Sequence, residues 1–173
     1  MGLHSYFDLA PSVATRAVTV RVSRQFGAPI HSVFDAWLDP VTAGSLFATH
    51  AGEVLRAQID ARLGGRFRLL RRESGTEVCW SGEYLAIERP ELLAFTLEDD
   101  PRSATGERVI IELASVGVGS LLVLTHEMGL ERYAERQRIA SEWRRRLGML
   151  AVLCPVARGA DRRRLPQRSA AFF

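Results

Sequence analysis

Between Glu131 and Cys154 the chain places Tyr133, Ile139, Trp143, Leu147, Leu150 and Cys154 at spacings that return to one face of an α-helix. Arg132, Arg136, Arg138, Arg144, Arg145 and Arg146 take the other angles. A helix with one apolar stripe must bury it against a second layer. The only sizeable partner upstream is a series of short apolar runs separated by turn signals, so the sequence predicts an antiparallel sheet curving around a long C-terminal helix.

The runs follow in a definite order. From Thr15 to Phe26, Val18, Val20 and Val22 alternate with Thr19, Arg21 and Ser23, the period of a strand with one buried face. The period then changes: after Pro29, Ile30, Val33, Phe34, Trp37 and Leu38 fall at helical spacing until Asp39-Pro40, and a second short helix is expected from Val41 to Phe47. Strand signals resume over 52–59, around Phe67 and Leu69, over 76–87 with Val78, Trp80, Gly82 and Tyr84 on one face, and at Leu93, Phe95 and Leu97. Val109, Ile111 and Leu113 then alternate, and a hairpin at Gly117-Val118-Gly119 leads into a run apolar on both faces. Its inward set is assigned as Leu122, Leu124, His126 and Met128, which leaves Thr125 and Glu127 to water. The fold class is α+β, a curved antiparallel sheet of about seven strands with two short helices after the first. One domain is expected over 15–154, preceded by a leader, 1–14, and followed by a basic tail, 155–173.

Charge and cysteine content exclude several function classes. All 23 basic residues are arginines, and the net charge is +3. The excess sits in the tail, where Arg158, Arg162, Arg163, Arg164 and Arg168 face one acid, Asp161. The tail is read as a solvated, flexible terminus: no aromatic is interleaved with its arginines before Phe172, so nucleic acid is not an expected partner. Cys79 and Cys154 lie far apart with no Cys-x-x-Cys spacing, and no His-x-x-x-His pair occurs among His4, His31, His50 and His126. No metal, no cofactor and no structural disulfide are expected, and a cytoplasmic setting fits. Neither a signal peptide nor a membrane-spanning run is apparent.

Four stretches together resemble a known superfamily: Ala28-Pro29-Ile30-His31-Ser32-Val33-Phe34-Asp35-Ala36-Trp37 ending at Asp39-Pro40; Gly64-Gly65-Arg66-Phe67; Ser81-Gly82-Glu83-Tyr84-Leu85 with Glu88-Arg89-Pro90 and Leu93-Ala94-Phe95-Thr96; and Leu122-Val123-Leu124-Thr125-His126 followed by Glu142-Trp143 and Leu147. Their order and spacing are similar to those of the SRPBCC, or START-like, helix-grip domains, and within these to the branch named for the activator of the heat-shock-protein ATPase. The resemblance implies a cavity between helix and sheet that holds an apolar small molecule in many relatives. Where many of them carry tryptophan after the second short helix, this chain has Phe47.

The candidate ligand-binding residues are Trp37, Phe47, Phe67, Trp80, Tyr84, Phe95, Leu97, Ile111, Leu122, Leu124, His126, Trp143 and Leu147. Rings supply apolar area, and a few polar groups set orientation. The expected function is binding of a hydrophobic or aromatic small molecule, with the protein a monomer or homodimer. Two alternatives stay open: a polyketide cyclase or aromatase type of enzyme using His126 as a general base, and a module for a chaperone or other protein partner. No catalytic residue is assigned. Glu83 and Glu112 alternate with the apolar faces and are expected to point outward, so no carboxylate pair is visible.

Overall fold

The structure, a computed structural model, describes residues 17–47, 52–73, 75–98 and 106–155. The leader, His50 and the basic tail beyond Pro155 lie outside them. Strand β1 (Ala17–Phe26) is followed by helices α1 (Ile30–Ala36) and α2 (Pro40–Phe47). Then come β2 (Gly52–Ile59), β3 (Arg66–Glu73), β4 (Thr76–Glu88), β5 (Leu92–Leu97), β6 (Glu107–Val116) and β7 (Gly119–Gly129), and a 3-10 turn (Leu130–Glu135) leads into α3 (Arg136–Leu153).

The seven strands form one sheet in the order β1-β7-β6-β5-β4-β3-β2. Strands β2 to β7 follow one another as a meander of antiparallel neighbours, and β1 docks antiparallel on β7. The first two strands therefore occupy opposite edges, and α1 and α2 carry the chain from one edge to the other. The long β4 bends within its own length: residues 76–83 pair with β3, residues 84–88 pair with β5, and the register slips between Tyr84 and Ala86. A second slip lies between Val54 and Arg56. Such bulges increase local bend and twist, which curls this end of the sheet toward the helices.

Alternation along the strands sets the buried face as the sequence predicts. Val18, Val20 and Val22 point inward on β1, Leu122, Leu124, His126 and Met128 on β7, and Leu93, Phe95 and Leu97 on β5. Gly82 is required where β4 meets the core, because a Cβ there would lie 1.8 Å from the Thr96 carbonyl oxygen and 2.7 Å from the Phe67 ring. Gly117 takes φ 59° in the β6–β7 turn, a conformation that costs glycine little.

The C-terminal element differs from the expected uninterrupted helix. Its first six residues form the 3-10 turn, and Tyr133 there is 56% exposed, covered by the Arg136 guanidinium 4.0 Å from its ring centre. In α3 the inward residues are Ile139, Ala140, Trp143, Arg146, Leu147 and Leu150. Arg146, expected outward, is only 3% exposed. Its angle lies beside Trp143 and Leu147, and the aromatic rings it meets there accommodate a guanidinium.

Candidate functional site

The inward face of β7 brings His126 under Trp143 of α3. The Trp143 indole N–H donates to His126 Nδ1 at 3.0 Å, so that nitrogen carries no proton and the imidazole proton belongs on Nε2. On the paired strand, Glu107 has the same parity as Val109, Ile111 and Leu113 and therefore also points inward. It is 1% exposed, and its Oε2 lies 2.7 Å from His126 Nε2, off the direction of the ring N–H. The other carboxylate oxygen, Oε1, accepts from Arg132 of the 3-10 turn at 2.5 Å. Arg132 also donates to Glu135, which is paired in turn with Arg138, and Arg138 donates to Glu142 at 2.5 Å.

This chain of polar groups runs from the core outward to the surface of α3. Burial alone pushes the Glu107 carboxyl up, but its bonds and charge interactions with His126 and Arg132 outweigh that and hold its pKa below the ordinary value. Nδ1 of His126 accepts from Trp143, and Nε2 lies 2.7 Å from the Glu107 carboxylate. The imidazole is a fixed link between helix and sheet rather than a base facing open space.

A second cluster lies on the other side of Trp143. Trp37, at the C-terminal end of α1, is 6.4 Å from Trp143 between ring centres, and Phe47, closing α2, is 6.0 Å from Trp143 and 5.0 Å from Trp80. Farther along, Phe67, Tyr84 and Phe95 touch one another at 5.4–6.2 Å in tilted or edge-on pairs. Between these rings remains a void of about 10 Å³, lined by Trp37, Ala43, Phe47, Ile59, Phe67, Leu69, Tyr84 and Phe95. That is room for at most one water. Burial pushes the Tyr84 phenol up to about 12, so it stays protonated at neutral pH. Trp37 is 4% exposed, and its indole N–H has no acceptor among the described residues.

Five of the thirteen expected contact residues, Trp37, Phe47, Phe67, Tyr84 and Phe95, thus border one void. Trp80 stands behind Phe47. Leu97, Ile111, Leu122, Leu124 and Leu147 are at most 2% exposed and belong to the close-packed core, while His126 and Trp143 belong to the polar chain. Ala43, Ile59 and Leu69 complete the lining without having been singled out in the sequence, since nothing in a small or aliphatic residue marks it as facing a void rather than a neighbour. Glu83 and Glu112 lie on the outward alternation, as expected.

Two buried arginines border the aromatic cluster. The Arg146 guanidinium lies over Trp80, Trp143 and Phe47 at 4.6, 5.0 and 5.5 Å, and Arg71 of β3, 8% exposed, lies over Trp80 at 5.5 Å. Arg71 also donates to the Phe47 carbonyl at 3.0 Å. A wider groove of about 590 Å³ runs along β2–β4, with Arg66, Arg68, Cys79, Ser81 and Glu98 among its lining residues. Its charged and polar walls do not suit an apolar guest. Among the described residues no group of three His, Cys, Asp or Glu side chains is arranged to hold a metal, and no helix is long and apolar enough to cross a membrane.

Residues 27–154 match the model of the family described as Activator of Hsp90 ATPase homolog 1-like protein. Among solved structures, the chain is similar to a protein from Chromobacterium violaceum, with 25% identity, a TM-score of 0.69, and coverage of 79% of this chain and 96% of that one. It is also similar to an AHSA1-like protein from Aeromonas hydrophila, at 20% identity and TM-score 0.67, covering 78% and 90%. CalU16 from Micromonospora echinospora matches at 24% identity and TM-score 0.61, covering 80% of this chain and 76% of that one. The last two likenesses concern the fold. No curated protein shows a significant match.

Proposed function

We propose, from the premise that this chain belongs to the Activator of Hsp90 ATPase homolog 1-like family, that it binds an apolar, ring-bearing small molecule in the aromatic seam between α1–α2 and the sheet. The observation that carries the reading is the Trp37 indole N–H, buried at the edge of a ring-lined void with no acceptor among the described residues. A buried donor without a partner costs about 1–3 kcal/mol, and a ligand oxygen or nitrogen placed against it recovers that cost. The contacts proposed are Trp37, Phe47, Phe67, Tyr84 and Phe95 from the sequence expectation, joined by Ala43, Ile59 and Leu69.

The void as it stands admits no such molecule, so binding is coupled to displacement of side chains. Phe47 and the α2 segment that carries it are the movable wall. This helix has eight residues and starts on Asp39, whose carboxylate accepts from the Thr42 N–H and hydroxyl at 2.8 and 2.7 Å. A short helix held by one cap and by packing is displaced at lower cost than the strands beneath it, which are tied into the sheet by inter-strand hydrogen bonds. A cytoplasmic setting accompanies the proposal, consistent with two free cysteines. A cyclase reading would need a substrate to reach His126, which is 2% exposed between Trp143 and Glu107.

The test is a thermal-shift and fluorescence titration of the full chain with two anilinonaphthalene dyes, one neutral and one sulfonated, alongside Ala43→Phe as a plug of the void. A dye at about 100 times its Kd should add roughly 2.7 kcal/mol, a rise of about 5–10 °C in Tm. The rise should vanish in a folded Ala43→Phe variant. No shift from either dye, or a shift the plug leaves intact, overturns the proposal.

A further inference from the structure

The polar groove along β2–β4 presents a second, chemically different site. On β3 and β4 the side chains of Phe67, Leu69, Trp80 and Gly82 face the core, so Arg68, Cys79 and Ser81, which alternate with them, line the groove from the outer face of the sheet. The register sets a row across four strands: Gln58 of β2 pairs with Arg68 of β3, Arg68 with Ser81 of β4, and Ser81 with Glu98 just beyond β5. Neighbouring strands are about 4.8 Å apart, so the backbones that carry Arg68 and Glu98 stand about 10 Å from each other.

The groove is lined by two cations, Arg66 and Arg68, and two anions, Asp60 and Glu98. Asp60 is paired with Arg62 at 2.8 Å, and Arg66 lies 4.0 Å from Glu83. The other two have no charged partner among the described residues: Arg68 donates through Nε to the Cys79 sulfur at 3.2 Å, and Glu98 accepts from the Ser81 hydroxyl at 3.0 Å. They share one row but do not meet, because Ser81 stands between them.

From this placement we infer that the groove binds a short free peptide of two or three residues, its terminal carboxylate on Arg68 and its terminal ammonium on Glu98. One unmatched charge of each sign favours a zwitterion over a simple anion or cation. The spacing sets the length. The charged ends of a single amino acid are only about 3 Å apart, whereas an extended chain advances about 3.3 Å per residue, so two or three residues bridge the two side chains. A guanidinium engaged through Nε alone keeps its two terminal nitrogens for a carboxylate. The Ser81 hydroxyl lies beneath the peptide groups between the ends, and the Gln58 amide flanks the carboxylate. The volume of about 590 Å³ falls in the range of small-ligand sites, about 300–1,000 Å³.

The test is a nitrogen-15 NMR titration of the full chain with triglycine, N-acetyl-triglycine and triglycinamide. Triglycine should bind at least about threefold more tightly than either blocked form and move the amides of Arg68, Ser81 and Glu98. Arg68→Gln should bring triglycine level with triglycinamide, and Glu98→Gln should bring it level with N-acetyl-triglycine, each leaving the other preference in place. Both side chains are exposed, and the wild-type comparison needs no variant to fold. The absence of a saturable shift, equal affinities for the three peptides, or shifts confined to other surfaces overturns the inference. Glycine binding as tightly as triglycine overturns it too, since the spacing would then play no part. The dye titration reads the inner face of the sheet, so failure here leaves the seam proposal standing.

Discussion

The two sides of Trp143 are built on opposite rules. Toward β6 and β7 its indole N–H enters a chain in which Trp143, His126, Glu107 and Arg132 are linked in series from core to surface. Toward α1 and α2 its ring meets other rings at 6.0–6.4 Å, and the nearest indole donor, on Trp37, has no described partner. Charged groups out of water are stable only in one arrangement, so the polar side pins the start of the C-terminal helix to the sheet. Rings tolerate several packings at similar energy, so the aromatic side can be rearranged. The difference assigns anchoring to one end of the grip and adaptability to the other.

The contrast is most directly broken at Glu107. Glu107→Ala leaves His126 and Arg132 facing a buried gap and should cost about 3–5 kcal/mol, a fall in Tm of about 6–20 °C. A melt lowered by less than about 1 kcal/mol would show that the node is not the anchor. Acid titration reads the same node. The Glu107 carboxyl has a lower pKa folded than unfolded, so the folded state binds fewer protons there. Its contribution is complete above the ordinary value of 4.5 and is lost as pH falls through the lower folded value. The stability gap between wild type and Glu107→Gln should therefore stay constant from about pH 8 to pH 5 and close on further acidification, as followed by urea denaturation.

On the aromatic side the expected effects are smaller. Phe47→Leu keeps an apolar wall but loses the edge-on contact with Trp143 and the tilted one with Trp80, and should cost about 1–2 kcal/mol in the same denaturation experiment. Trp37→Phe removes the unpartnered N–H along with part of the ring. The relief of the donor offsets the lost packing, leaving stability within about 1 kcal/mol of wild type, while affinity for an acceptor-bearing dye should fall about three- to tenfold. A large loss of stability in Trp37→Phe, comparable with that of Glu107→Ala, would erase the distinction between the two sides.

Much of this arrangement is legible in the chain itself. The alternation of Leu122, Leu124, His126 and Met128 assigns His126 to the interior, and the helical spacing of Ile139, Trp143, Leu147 and Leu150 aims Trp143 at it. Glu107 was legible too. The parity that buries Val109, Ile111 and Leu113 extends back to it, but a carboxylate beside a polar loop reads as the loop's end. Its partner Arg132, 25 positions away, lies on the turn expected to be part of a helix. Arg146 shows the same difficulty: its angle on α3 is next to the buried stripe, yet a positive charge reads as solvent-facing until the rings that cover it are in place.

The sequence by itself determined the element order, the inward faces and the family, because periods of two and of 3.6 residues follow from backbone geometry and the hydrophobic effect acts locally along them. Only the tertiary structure decided which aromatic residues pack solidly and which border a void, and which charges are buried. A void depends on the fit of side chains from α1, α2 and β2 to β5 to within fractions of an ångström. A buried charge depends on whether a distant segment supplies its partner, and neither condition leaves a periodic mark in the chain.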